Sequence, residues 1–183
     1  MRYSFHAEQL LPYPIEQVFA FFSNPDNLPR LMPSWQKARI DKANLIAAQS
    51  PPNASAGIRA AAGNGSRITL SFRPVPLSPI RLSWQAEISD FVWNQRFCDT
   101  QLRGPFAYWH HCHTVTQQCG SASPEVSAKA TLVSDEVHYE PPFGRLGALA
   151  QHVFLARQLH GIFAFRHKRT LELLRTMDVR VER

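Results

Sequence analysis

The last long segment of the chain, from Phe143 to about Arg175, constrains the fold more than any other stretch. It follows Pro141-Pro142 and contains no further proline. Apolar residues recur along one arc of it at 3.6-residue spacing, at Leu149, Val153, Ala156, Phe163, Ala164, Leu171 and Leu174. Its first half is apolar almost all round, and its second half carries a basic run at residues 166–169. The pattern predicts one long helix, buried early and half-exposed late, around which the rest of the chain must wrap.

Short segments with β-strand patterns precede this helix, most of them separated by proline, glycine or asparagine. They span Arg2–Leu11, Trp35–Gln49, Arg67–Phe72, Arg81–Phe91, Arg96–Arg103, Phe106–Gln117 and Val126–Tyr139. Between the first two, Pro14–Phe22 predicts a short helix, and Asn24 or Asp26 is placed to cap a second one that ends near Leu31. The order predicts a single α+β domain over residues 1–183. In it, a curved antiparallel sheet wraps the long C-terminal helix.

One segment, Ser50–Gly65, has no periodicity and is rich in Ala, Gly, Pro, Ser and Asn. Such a composition predicts a mobile loop. Long loops without secondary structure often act as lids, so this loop is a candidate gate. Its removal is then expected to change ligand exchange more than stability.

The composition excludes several classes of protein. The chain has 183 residues, of which 44% are hydrophobic, as in a globular protein. No apolar run approaches the ~18 residues of a membrane span, and the N-terminus lacks the apolar stretch of a signal peptide. The three cysteines, Cys98, Cys112 and Cys119, are odd in number and form no CxxC motif. They are expected to be free thiols, and the protein to be cytoplasmic.

Positive charge is concentrated at the C-terminal end of the chain. The formal net charge is +6, and residues 145–183 hold eight Lys/Arg against three Asp/Glu. We interpret this as a solvated helix end whose cations complement the helix dipole, and expect no nucleic-acid partner. The alternative is an interaction module that binds anionic lipid or nucleic acid through the basic helix. That alternative predicts binding with a strong salt dependence.

Three motifs resemble a known protein family. Residues Phe97–His113 match the pattern F-x-D-x-Q-x-x-G-P-F-x-x-W-x-H-x-H, and Asp135–Gly144 match D-x-V-x-Y-x-x-P-x-G. Residues Ile162–Arg166 are similar to I-F-x-Y-R, with Phe165 in place of tyrosine. These patterns are those of bacterial proteins of the SRPBCC superfamily, which are START-like, birch-pollen-allergen-like and often labelled polyketide cyclases. The resemblance covers nearly the whole chain and implies a helix-grip fold with a cavity between sheet and helix.

Two histidines at alternate strand positions are the first candidates for chemistry. On a strand, His111 and His113 share a face with Trp109, and Cys112 lies on the opposite face. Together they supply two metal ligands, and a third or fourth is needed, for which Asp135 and His160 are candidates. The H-x-H spacing is a weak signal on its own, so we expect no metal and favour a polar network in which the histidines hydrogen-bond to Asp135.

General acid–base catalysis is the second way to use these residues. His111 or His113 with Asp135 forms a pair in which the carboxylate orients the ring and raises its basicity. Whether they touch depends on the register of the last hairpin, which the sequence leaves open. No nucleophile motif, phosphate-binding loop or dinucleotide fingerprint occurs, so no cofactor is expected.

The expected function is binding of a hydrophobic or amphipathic small molecule between the sheet and the C-terminal helix. The candidate binding residues are Phe72, Trp84, Phe106, Trp109, His111, His113, Asp135, Tyr139, His160 and Phe163. His160 is included because it shares the arc of Val153 and Phe163, where a polar side chain needs a partner or a wet cavity. The alternative is a cyclase, dehydratase or isomerase that uses His–Asp acid–base catalysis. The sequence leaves the question of enzymatic activity open.

Overall fold

A computed structural model of the chain describes residues 1–48, 61–119, 129–144, 147 and 154–181. Within these residues there are seven strands: β1 (Tyr3–Leu11), β2 (Arg39–Asn44), β3 (Arg67–Phe72), β4 (Leu82–Val92), β5 (Arg96–Arg103), β6 (Tyr108–Cys119) and β7 (Lys129–Glu140). The same residues form the α-helices α1 (Ile15–Ser23) and α2 (Ala156–Val181), and 3₁₀ helices at Pro25–Leu31 and Ser34–Gln36.

The strands form one antiparallel sheet in the order β1-β7-β6-β5-β4-β3-β2. From β2 to β7 each strand pairs with the next, and β1 closes against β7 with Tyr3 opposite Tyr139. Register shifts interrupt the β2–β3 and β4–β5 ladders, where extra residues bend and twist a sheet. The predicted α+β helix-grip architecture is confirmed: a curved antiparallel sheet, short helices after the first strand and a long C-terminal helix.

Side-chain alternation gives the sheet a buried inner face. On β6, Trp109, His111, His113 and Val115 are buried, whereas the residues between them are exposed or half-buried. Strand β7 alternates in the same way, with Val133, Asp135, Val137 and Tyr139 buried. Successive side chains on a strand point to opposite faces, so all of these residues point towards α2. The inner face of these two strands is therefore apolar except for Thr131 near one end and the group of His111, His113 and Asp135 at its centre.

The C-terminal helix differs in part from the prediction. The described long helix runs over Ala156–Val181, while Leu149, Val153 and most of the predicted first turns lie outside the described residues. Its buried residues are Leu159, Phe163, Thr170, Leu173 and Leu174. The predicted inward residue Ala164 is exposed, because the buried stripe is rotated relative to the predicted arc. Phe154 and Phe165 are 48% and 36% exposed, so the first half is not buried all round. The sheet covers only one side of the helix.

Helix α1 and the turn after it close one end of the sheet. Val18, Phe19 and Phe21 are almost fully buried against β6, β7 and the end of α2. Burying each such side chain stabilises a fold by roughly 1.5–3 kcal/mol. The side chain of Asn24 accepts a hydrogen bond from the amide of Asp26 at 3.0 Å, so it caps the following helix as predicted. That second helix is a 3₁₀ helix.

Two of the three cysteines form a disulfide, which corrects the prediction of free thiols. Cys98 on β5 lies directly opposite Cys112 on β6, and their sulfur atoms are bonded. The residues are 14 positions apart, and only the hairpin register brings them together. Because the number of cysteines is odd and they form no CxxC motif, the sequence offered no basis for predicting this pair. Among the described residues, no helix is long and apolar enough to cross a membrane.

Candidate active and binding site

A cavity of about 290 Å³ lies between the inner face of the sheet and α2. Its walls come from the 3₁₀ segments, from β3 to β6 and from α2. Most of the lining is apolar or aromatic, including Leu31, Ile68, Leu70, Phe72, Trp84, Ala86, Ile88, Phe97, Phe106, Trp109 and Phe163. Four charged or titratable lining residues, Asp99, His111, His113 and Arg166, add a polar part to the wall. The cavity therefore combines a large apolar wall with a localised polar region.

The motif Gln101–Phe106 builds one corner of this cavity. The side-chain amide of Gln101 donates a hydrogen bond to the carbonyl of Phe106 at 2.7 Å, which closes the turn between β5 and β6. Gly104 lies beneath that amide, and a Cβ atom placed there would approach the Gln101 carboxamide carbon to 2.6 Å. A side chain at position 104 would therefore displace Gln101. The turn sets Phe106 against the rings of Trp84 and Trp109.

His111 is held between two carboxylates. Its Nε2 atom lies 2.9 Å from Oδ1 of Asp135, and its Nδ1 atom lies 3.3 Å from Oδ2 of Asp99. Both ring nitrogens thus face acceptors, and both can donate only when the ring is protonated. Burial alone would lower the pKa of His111, but the hydrogen bonds and charges of Asp135 and Asp99 raise it above its ordinary value. The geometry therefore favours an imidazolium at this position.

The surroundings of His113 favour a neutral ring, in contrast to the imidazolium at His111. Its Nδ1 atom lies 2.6 Å from Oδ1 of Asp135, and Nη2 of Arg166 lies 3.4 Å from its Nε2 atom. A guanidinium only donates, so it matches a neutral ring whose Nε2 accepts. Burial, together with the charge of His111, lowers the pKa of His113 to about 4. The ring packs between Phe22 and Phe97. The carboxylate of Asp135 thus lies in contact with both a charged histidine, His111, and a neutral one, His113.

The two carboxylates remain ionised despite their burial. Burial would raise the pKa of Asp135, but Arg166 and both histidines outweigh it and hold that pKa well below its usual range. Burial acts against ionisation of Asp99 as well, and the hydrogen bond and charge of His111 lower its pKa. Asp135 is 2% exposed, whereas the side chain of Asp99 is 22% exposed and lines the cavity. Two anions are therefore balanced by His111 and Arg166.

Four residues that line the cavity have buried polar atoms without a well-aligned hydrogen-bond partner. These atoms are Oε1 of Gln36, Nε1 of Trp109, Nε of Arg166 and Nδ1 of His113, and only the last of them has a close charged neighbour among the described residues, Asp135 at 2.6 Å. An unpaired buried polar atom costs roughly 1–3 kcal/mol, which a bound molecule with a matching group would recover. Trp109 and Arg166 offer donors, and Gln36 offers an acceptor.

The structure places most of the predicted site residues around the cavity. Its lining includes Phe72, Trp84, Phe106, Trp109, His111, His113 and Phe163. Asp135 and Tyr139 do not line it: Asp135 lies behind the histidines, and Tyr139 packs against Phe106 and Trp109. His160 is exposed, and its Nδ1 atom donates to the carbonyl of Ala156 at 2.7 Å. Its placement on the inward arc is corrected because Leu159 and Phe163 define the buried stripe.

Sequence reasoning missed Arg166, Gln36 and Phe22 as site residues. Arg166 was grouped with the cations of the helix end, although it closes the I-F-x-Y-R-like motif, and this position was the available signal. Asp99, in the F-x-D motif, was not among the predicted site residues either. No sequence signal distinguishes Gln36 or Phe22 from other core residues.

The predicted Ser50–Gly65 loop lies mostly outside the described residues. Its last part is structured, because Ala62 is buried, lines the cavity and donates to the carbonyl of Ser23 at 3.1 Å.

Donor atoms of Asp99, His111 and His113 lie within 4.8 Å of one another, a spacing that a metal ion would accept. However, a metal ligand must offer a lone pair, and both nitrogens of His111 are turned towards carboxylate oxygens. Binding a metal at this ring would require it to lose a proton and break at least one of those contacts. The arrangement is better suited to holding and donating protons.

A family model for polyketide cyclases, dehydrases and lipid-transport proteins matches residues 11–160. A search of curated protein sequences finds no match. Among solved structures, norcoclaurine synthase from Thalictrum flavum is 12% identical, with a TM-score of 0.59 over 95% of this chain and 87% of that one. Protein CV1439 from Chromobacterium violaceum is 14% identical, with a TM-score of 0.62 over 93% of this chain and 96% of that one. The protein TTHA0849 from Thermus thermophilus is 14% identical, with a TM-score of 0.57 over 93% of this chain and 99% of that one.

At such low identities, the structural matches establish the fold, and the family model establishes the membership. The expected relation to the SRPBCC superfamily is confirmed. Ligand binding or polyketide-cyclase-type chemistry is what this family and fold imply. The chain belongs to the polyketide cyclase, dehydrase and lipid-transport family.

Proposed function

We propose that the protein binds a hydrophobic or amphipathic small molecule in the cavity between the sheet and α2. The observation that carries the proposal is the cavity of about 290 Å³ with its largely apolar walls. Ligand sites are concave, mostly apolar and equipped with a few polar groups that fix orientation. The lining of this cavity has that composition.

The polar end of the ligand is expected to meet Trp109, Arg166 and Gln36. The unpaired donors of Trp109 and Arg166 favour a ligand with an oxygen acceptor, such as a carbonyl or phenol group. The two carboxylates, Asp99 and Asp135, are offset by His111 and Arg166, so the site does not call for a strongly charged ligand. A neutral oxygenated hydrocarbon is the class that fits best.

A cavity-filling substitution tests this function. Ala86 on β4 is buried and lines the cavity, so Ala86→Phe would occupy the space that the ligand needs. Thr116→Phe adds a similar ring at an exposed position of β6 and is the matched control. We expect the fluorescent dye 8-anilinonaphthalene-1-sulfonate to bind the wild type and Thr116→Phe equally. Ala86→Phe should bind at least about tenfold more weakly, a loss of ~1.4 kcal/mol. Equal binding by both variants would contradict the proposal.

Native mass spectrometry provides the identity of a ligand. Freshly purified protein is weighed under native and denaturing conditions, and any released organic mass is identified. An oxygenated hydrophobic compound that is lost from Ala86→Phe and retained by Thr116→Phe supports the proposal. If both variants retain the compound, the compound binds outside the cavity, and this result would contradict the proposal.

The second candidate is an enzyme that uses acid–base catalysis, and the observation that favours it is the Asp99–His111–Asp135 array in the cavity wall. Asp99 lines the cavity as a carboxylate acceptor, and His111 holds protons on both nitrogens next to it. A carboxylate and an imidazolium side by side are suited to moving a proton to or from carbon next to a carbonyl group. Asp135 then acts as the residue that positions His111.

Proton exchange in deuterium oxide tests the second candidate without knowledge of the natural substrate. Aryl 1,3-diketones are offered to the protein, and deuteration between the carbonyl groups is followed by NMR. Catalysis predicts exchange above the buffer rate that falls at least about a hundredfold in Asp99→Asn, the low end of general acid–base contributions, while dye binding persists. Exchange at the buffer rate would argue for binding without turnover by this array.

The partner expected under either candidate is a small molecule, and we propose no nucleic acid. The basic residues of α2 include Arg169, which pairs with Glu172 at 2.9 Å, and Arg166, which faces the site.

The cytoplasmic location expected from the sequence remains a proposal. In a reducing compartment, the Cys98–Cys112 pair would exist largely as two thiols.

A further inference from the structure

The outer face of the sheet carries a second cluster of reactive side chains, separated from the cavity by the sheet itself. Cys98, Cys112 and His110 each offer one ligand atom, and these atoms lie within 4.8 Å of one another. His110 and Cys112 alternate with the inward residues of β6, and Cys98 is the cross-strand neighbour of Cys112. Strand alternation alone already predicts that Cys112 and His110 lie on the face opposite His111 and His113, but only the structure adds Cys98 to them.

His110 is oriented by a partner on the next strand. Its Nδ1 atom lies 2.9 Å from the hydroxyl oxygen of Thr100, and its Nε2 atom lies 3.3 Å from the sulfur of Cys112. A hydrogen bond from Nδ1–H to the hydroxyl leaves the lone pair on Nε2, directed at the sulfurs. Metal-binding histidines are oriented in this way by a hydrogen bond at the other nitrogen.

We propose that Cys98, Cys112 and His110 form a metal site for Zn²⁺ or a similar thiophilic divalent cation when the cysteines are reduced. Two thiolates and one imidazole are a ligand set that zinc prefers. With Zn–S bonds of about 2.3 Å, the two sulfurs must stand roughly 3.8 Å apart, which side-chain rotation allows once the disulfide is broken. Cys98 is buried, whereas His110 and Cys112 are half-buried, so water can reach the cluster from the side of these two residues.

The disulfide and the metal site are alternative states of the same two sulfurs. In the oxidised state both sulfurs are bonded to each other and offer no thiolate. Conversion of the reduced form takes two electrons from the cysteines. A low-molecular-weight disulfide accepts them: its S–S bond breaks as the S–S bond of the protein forms, and it leaves as two thiolates that take up protons from water. Metal release therefore accompanies oxidation. This site does not depend on the function proposed for the cavity.

Cobalt binding tests the site, because Co²⁺ bound by thiolates absorbs through a charge-transfer band that other ligands do not produce. Protein reduced with a phosphine in metal-free buffer is titrated with Co²⁺. We expect one equivalent bound with the thiolate band, displacement by Zn²⁺ and a higher Tm of the reduced protein. The oxidised protein should show no band. Absence of the band in the reduced protein, or cobalt bound without it, would overturn the proposal.

Variants assign the ligands. Cys112→Ser should remove most of the band, and His110→Ala should weaken Co²⁺ binding at least about tenfold. His6→Ala is the matched control, because His6 is an exposed histidine on the same face but on the edge strand β1, 59% exposed. A band unchanged in His110→Ala, or weakened equally by His6→Ala, would overturn the ligand set. Cys112→Ser exchanges only one atom at a half-buried position, so its folding is checked by thermal melting.

Discussion

Asp135 stands directly opposite His113 in the β6–β7 ladder, and its Oδ1 atom lies 2.6 Å from Nδ1 of that ring. The same oxygen lies 2.9 Å from Nε2 of His111, which is the preceding inward-facing residue of β6. A single buried carboxylate atom therefore organises both histidines of the H-x-H motif. Its negative charge is the reason that a cationic and a neutral ring can lie with their centroids 4.0 Å apart.

Asp135→Asn is expected to destabilise the protein strongly. The change removes a buried charge and leaves the cations at His111 and Arg166 with one anion fewer, and breaking such a buried arrangement costs about 3–5 kcal/mol. Urea unfolding at pH 7 measures the loss. Glu136→Gln is the control, because Glu136 is the next residue on β7 but is 61% exposed and should matter by less than about 0.5 kcal/mol. Equal effects of the two changes would contradict the role of Asp135.

The stabilising effect of Asp135 should depend on pH in a defined direction. Its folded-state pKa lies well below its ordinary value, because Arg166 and the two histidines outweigh burial. A lowered pKa means that the carboxylate stabilises the fold above the unfolded-state pKa of about 3.9, and that this contribution is lost as the pH falls towards the folded value. The difference in unfolding free energy between wild type and Asp135→Asn should therefore narrow below about pH 4. If the difference in unfolding free energy instead grew as the pH fell, the lowered pKa of Asp135 would be contradicted.

Trp109 is expected to recognise an oxygen acceptor in the ligand. Its Nε1 atom is buried and unpaired, so Trp109→Phe should remove a ligand hydrogen bond worth about 0.5–1.5 kcal/mol. The measurement is the ratio of affinities for 2-acetylnaphthalene and 2-isopropenylnaphthalene, which differ by one carbonyl oxygen. Trp109→Phe should lower the preference for the ketone by about two- to tenfold. Trp84→Phe is the control, since Trp84 lines the same wall and its indole nitrogen is not among the buried unpaired atoms. The same change in both variants would count against this role.

The turn before β6 should show energetic coupling between Gly104 and Gln101. Gly104→Ala would push the Gln101 amide away and break its hydrogen bond to Phe106, at a cost of about 1 kcal/mol. Gln101→Ala loses the same bond but leaves room for the methyl group. The double variant should therefore be little less stable than Gln101→Ala alone. Unfolding free energies that simply add would show that the two residues act independently.

Much of the architecture could be predicted from the residues themselves. Alternation along a strand is a local property, so β3 and β5 were predicted with the bounds that the structure shows. The same alternation correctly placed His111 and His113 on one face, apart from Cys112. The motifs also indicated the superfamily, because a turn such as Gln101–Phe106 needs particular residues at fixed spacing.

Only the tertiary structure decided which groups meet. Register joins Asp135 to His113 and Cys98 to Cys112, and a shift of one residue would separate each pair without changing any local pattern. The rotation of α2 turns Arg166 towards the site and His160 towards solvent, a choice that depends on packing against the sheet. The sequence by itself determined strands, helices and family through local periodicity and turn chemistry. Long-range pairing decided the charge array of the cavity and the thiol cluster on the opposite face, because contacts between distant segments depend on the whole fold.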